Sequence, residues 1–74
     1  MNDDINMNEI MDEDLYRILK AEDLVKRLGI GRDRAYSLMK SEGFPSTKIG
    51  KRYFITERSL RMWLDKYAGK NFRM

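Results

Sequence analysis

Apolar positions along the chain fall into three stripes of helical spacing, interrupted by one short stretch of a different period. Ala21, Leu24, Val25 and Leu28 stand at i, i+3, i+4 and i+7, which places them on one face of a helix of about two turns. Gly29 ends that helix. Lys20 occupies its N-cap position and is a poor cap by type, although Glu22 and Asp23 in the first turn suit the helix dipole. A second helix opens at Arg32 behind Gly31, turns Ala35, Leu38 and Met39 inward, and closes near Gly43, where Pro45 forbids continuation. Thr56 is the N-cap of a third helix, with Glu57 in its first turn. Its apolar face is Leu60, Trp63, Leu64 and Tyr67, most simply a core face, and Gly69 ends it.

Between the second and third helices the period changes. Residues 47–49 and 52–55 are short runs of β-branched and aromatic side chains around Gly50-Lys51, the pattern of a hairpin with a type II′ turn. The predicted order is helix, helix, hairpin, helix. Two short helices joined by a tight glycine-containing turn suit a helix-turn-helix, with the small Ala35 allowing the helices to cross closely. The hairpin adds a wing. The expected fold class is therefore mainly α with a small β-hairpin, a winged helix-turn-helix.

Charge divides the 74 residues unevenly. Residues 1–15 carry six acids and no base, whereas the other 59 hold all 15 Lys and Arg against six acids, a net +9 within an overall +3. We read three parts: an acidic, disordered leader at 1–15, a domain at 16–68, and a basic C-terminal tail at 69–74. Two other readings of the leader stay open. It could fold back onto the basic surface, or its Ile and Met residues could dock on a partner. A small domain this basic most often meets nucleic acid, since Lys and Arg that neutralise phosphates release condensed counterions.

Composition removes most alternatives to binding. The chain has no Cys and no His, hence no disulfide, no thiolate or imidazole metal ligand, and no Cys- or His-based nucleophile. Carboxylates such as Asp33 and Glu42 occur singly rather than as a positioned pair, so an enzyme is not expected, nor a cofactor or a small-molecule substrate. No apolar run approaches a membrane span, and the first residues lack the pattern of a secretory signal, which makes a cytoplasmic location the expectation.

The stretch ILKAEDLVKRLGIGRDRAYSLMKSEGFPSTKIGKRYFITERSLRMWL resembles the excisionase-like, MerR-related helix-turn-helix family over roughly residues 16 to 67. The landmarks are Leu28-Gly29-Ile30, Tyr36, Pro45, Ile49-Gly50-Lys51-Arg52 and Trp63-Leu64. Three positions depart from the family pattern. Lys20 stands where the family commonly has Ser or Thr, Gly31 stands where it commonly has Ser, and Phe54, on the strand face opposite Tyr53 and Ile55, stands where a polar or basic residue is common.

The resemblance implies sequence-specific binding of double-stranded DNA by a recombination directionality factor of the excisionase type, from a bacterial mobile element. Such a factor binds repeated sites and bends DNA. It also implies two partners, an integrase and further copies of the chain bound cooperatively on tandem sites. A small transcription regulator of a mobile element is the alternative, and a protein-interaction adaptor or anti-repressor is the alternative from another class.

With Ala35, Leu38 and Met39 inward, the second helix points Asp33, Ser37 and Lys40 most directly outward. Arg34 and Tyr36 lie on its flanks and Arg32 at its first turn. These six are the candidate groove-reading residues. Arg can bond guanine bidentately, Ser a base edge or phosphate, and Asp33 either a cytosine amino group or a neighbouring Arg. Lys48, Lys51 and Arg52 on the hairpin are candidate contacts to the phosphate backbone or the minor groove, and equally suit protection of a strand edge. Phe54 is either a wedge into DNA or, as is more usual, packed on a neighbouring segment.

Overall fold

The structure is a computed structural model, and it describes residues 14–74; all but the last two residues of the acidic leader lie outside the described residues. Six elements follow one another: β1 (Ile18–Leu19), α1 (Ala21–Leu28), α2 (Arg32–Lys40), β2 (Thr47–Ile49), β3 (Arg52–Thr56) and α3 (Glu57–Lys66). Three helices and a small antiparallel sheet make a winged helix-turn-helix, the expected class.

α1 begins at Ala21 as its stripe predicts, and the weak cap is repaired from within. The Asp23 carboxylate reaches back to accept from the Lys20 backbone N–H at 2.8 Å, so a first-turn acid supplies the order that the Lys20 side chain cannot. At the other end Gly29 takes φ 66°, and its N–H donates to the Val25 carbonyl. That left-handed residue turns the chain toward α2 at a conformation most side chains resist. α2 stops at Lys40, three residues before Gly43. The freed carbonyls are bonded by serines: Ser41 Oγ donates to the Ser37 carbonyl and Ser46 Oγ to that of Met39.

β2 and β3 pair in the two-residue register, Thr47 with Phe54, Lys48 with Tyr53 and Ile49 with Arg52. Gly50 has φ 64° and no non-glycine described residue has positive φ, so Lys51 is at negative φ and the turn is type II′. β1 was not foreseen. It pairs Ile18 with Thr56 and Leu19 with Ile55, making β3 the central strand in the order β1-β3-β2. Two residues are too few for an alternation to register in sequence.

The sheet turns one face inward and one outward. Leu19 and Ile55 join Ala21, Leu24, Ala35, Leu38, Met39, Phe44 and Leu60 in a single core. Ala35 is fully buried where α1 and α2 meet, which a larger side chain would prevent. α3 contributes Leu60 to this core. The expected Thr56 cap is present, its hydroxyl accepting from the Ser59 N–H at 3.1 Å.

One part of the α3 stripe differs from expectation. Leu60 is fully buried and Trp63 and Tyr67 are half-buried, but Leu64 is 43% exposed. Leu64 lies about 70° from the midline of the face that Leu60, Trp63 and Tyr67 share. The chain after α3 returns on the other flank, where Phe72 packs edge-on to Trp63 at 5.0 Å and to Tyr67 at 4.9 Å. Phe44 also meets Trp63 edge-on, at 4.8 Å.

Candidate nucleic-acid interface

The second helix of the pair is held by its buried face, Ala35, Leu38 and Met39, and leaves the remainder to solvent. Arg32, Asp33, Arg34, Tyr36, Ser37 and Lys40 are all exposed, and so are Lys48, Lys51 and Arg52 on the wing. Exposure alone does not distinguish these residues from a solvated surface. Their arrangement does more.

A cleft of about 440 Å³ opens between α2, the wing and the first turn of α1. Tyr36 and Lys40 line it from α2, and Lys51, Arg52, Tyr53 and Phe54 line it from the wing. The fold therefore brings together four of the nine sequence-predicted residues. Arg32, Asp33, Arg34, Ser37 and Lys48 lie outside the cleft lining, the first four on the exposed part of α2 and Lys48 on β2 with its ammonium 5.7 Å from the Tyr53 ring centroid. Phe54 sits on the outer sheet face, half-buried, rather than in the core.

Ion pairing separates two kinds of basic residue. Arg27 and Arg61 are committed to the fold: Arg27 bonds both oxygens of Glu57, and Arg61 bonds Glu57 at 2.8 Å and Asp14 at 3.1 Å. Arg32, Arg34, Lys40, Lys48, Lys51 and Arg52 make no ion pair among the described residues, and Asp33 pairs with neither neighbouring arginine. Six unpaired cations on α2 and the wing give this side a positive field available to an outside anion.

Glu57 is the residue that sequence reasoning undervalued. Read as a first-turn acid, it is 1% exposed. Hydrogen bonding from Arg27, reinforced by Arg61, outweighs the cost of burial and lowers its carboxyl to about 2 from the usual 4.5. The same bond raises the Arg27 guanidinium above its ordinary value. Nothing local announces this contact, because Arg27 and Glu57 are distant in sequence and meet only when α1 and α3 pack.

The family model described as a helix-turn-helix domain matches residues 18–68, more than half of the chain and the span from β1 to just past α3. The chain belongs to the helix-turn-helix domain family. That family includes excisionase-like DNA-binding domains, so membership supports DNA binding as the coarse function of this helix-turn-helix domain. No curated protein and no solved structure matches the chain significantly. Among the described residues no helix is long and apolar enough to cross a membrane.

Proposed function

We propose that this helix-turn-helix domain binds double-stranded DNA sequence-specifically, without catalysis, as an excisionase-type recombination directionality factor of a mobile element. In this reading α2 enters the major groove. Arg32, Arg34, Tyr36, Ser37 and Lys40 face base edges and flanking phosphates, with Asp33 accepting from a cytosine amino group. Lys48, Lys51 and Arg52 follow the backbone beside the groove.

The observation that carries the reading is the shared cleft, where Tyr36 and Lys40 of the second helix stand opposite Lys51 and Arg52 of the wing. Two elements that both present unpaired cations to one opening can hold a duplex ridge between them. A chain this small makes few base contacts per copy, so tight binding follows from neighbouring copies on repeated sites. Bending of those sites then brings an integrase and its DNA into one assembly.

The test is a titration on fragments carrying one site or tandem sites, with the site circularly permuted so that bending changes gel mobility. Cooperative, bent complexes on tandem sites are expected. Equal affinity on single and tandem sites with no bend would favour a transcription regulator instead, and no preference for any DNA sequence would favour a protein adaptor.

A further inference from the structure

The outer face of the sheet is apolar and uncovered among the described residues. Strand pairing places Ile18, Thr56, Phe54, Thr47 and Ile49 on this face. A shallow groove of about 300 Å³ runs between Ile18 and Ile49 over Phe54, Thr47 and Thr56, lined almost wholly by carbon. Ile18 is 57% exposed, and Ile49, at 63%, is the most exposed large apolar side chain among the described residues. The face thus carries a groove and, on its rim, a branched aliphatic knob.

Charge is kept off this face, although residues 16–74 hold a net +9. Lys48 lies on the opposite side of the sheet, with its ammonium over the Tyr53 ring. Lys51 and Arg52 line the cleft between α2 and the wing, as does Lys20 just after β1. A nucleic acid or a charged peptide therefore finds no counter-charge here. The surface that suits this face is itself neutral and apolar.

We propose that its occupant is a second copy of this chain, joined by an isologous contact in which Ile49 of each copy enters the groove of the other. A two-fold contact needs a patch that fits itself, and a knob and a groove on one face meet that need within a single chain. Two basic domains must also meet where neither presents a cation, which this face provides. Only Phe54 is shared between the groove and the α2–wing cleft, so pairing leaves Tyr36, Lys40, Lys51 and Arg52 available.

Size sets when the copies meet. The face is three strands, about 10 Å, wide, and its longest strand has five residues. Such a contact buries a few hundred Å² per copy, against about 800 Å² per partner in a stable complex. Repulsion between two +9 domains weakens it further. The free chain is therefore a monomer at ordinary concentration, and the contact closes where phosphates neutralise both domains and hold them side by side. A two-fold pair presents its α2 helices in opposite senses, which specifies neighbouring sites in inverted orientation; these last two steps rest on the DNA-binding reading.

The contact is tested first without DNA. In the full chain at millimolar concentration, with salt raised to screen the domains, dilution should shift the amide signals of Ile18, Thr47, Ile49, Phe54 and Thr56 and leave those of α1 and α2 in place. Ile49→Ser and Ile18→Ser, both at exposed positions, should each abolish the shift without altering the circular dichroism. Dilution shifts centred on another surface, or none at several millimolar, would overturn the proposal.

DNA then tests the orientation. Across a series of spacings, two inverted sites should bind the full chain with cooperativity of about ten-fold or more, and Ile49→Ser should remove it with single-site affinity unchanged. Cooperativity that survives Ile49→Ser would overturn the role of this face on DNA. Failure to bind any DNA would sink the functional reading and leave the dilution shifts to decide the contact.

Discussion

Arg27 of α1 clasps both carboxylate oxygens of Glu57, the first residue of α3, across a separation of thirty residues. Arg61, one turn further along α3, bonds the same carboxylate through Nε at 2.8 Å. A buried charge is tolerated only when it is paired and hydrogen-bonded, and Glu57 is both. The pair thereby ties the start of the third helix to the end of the first.

That arrangement predicts a defined acid response. Glu57 lies at about 2 in the folded protein against 4.5 for the free group. A depressed folded pKa means that the stabilisation is complete above the unfolded value and is lost as pH falls through the folded one. Melting temperature should therefore drop between about pH 4.5 and pH 2. Glu57→Gln should cost about 2 kcal/mol at neutral pH, less than for a fully buried pair because both arginines are partly exposed. Thermal melts of the two proteins over this range should converge toward pH 2; parallel curves would contradict the assignment.

Core packing predicts a contrast between two leucines that sequence periodicity treats alike. Leu24 has no exposure and Leu64 is 43% exposed. Leu24→Ala should cost about 2 to 5 kcal/mol, and Leu64→Ala should stay within about 0.5 kcal/mol. Urea denaturation of both variants measures this directly, and a similar loss in each would mean that Leu64 is covered.

These residues show what was legible in the sequence. The three helices, the type II′ turn and the Thr56 cap follow from local spacing and residue type, and all recur in the structure. β1 did not, since two residues make no period. Glu57 could not be recognised because its partner is set by tertiary packing. Leu64 was misjudged because a wheel gives the face of a helix, whereas burial depends on which flank the returning chain covers, here the Phe72 side. The nine candidate contact residues could be read as outward and basic or polar, but which of them share an opening depended on the angle between α2 and the wing.

The division of labour between helix and wing predicts two classes of variant. Arg34→Ala or Tyr36→Ala should relax preference at particular base pairs in a randomised-site selection, at a cost of about 1 to 3 kcal/mol. Lys51→Ala should weaken all sites together and keep the preferred sequence. All three residues are exposed, so circular dichroism should remain that of the unchanged protein. Unaltered base preference in both folded α2 variants would show that α2 does not read the groove.

The central claim is that unpaired cations on α2 and the wing bind the phosphates of duplex DNA, and the salt dependence of affinity measures that most directly. Engagement of roughly four to seven phosphates predicts that log K falls against log salt with a slope of about −4 to −6, shallower by about one in Lys51→Ala. An affinity indifferent to salt, or no saturable binding at low salt, would contradict it.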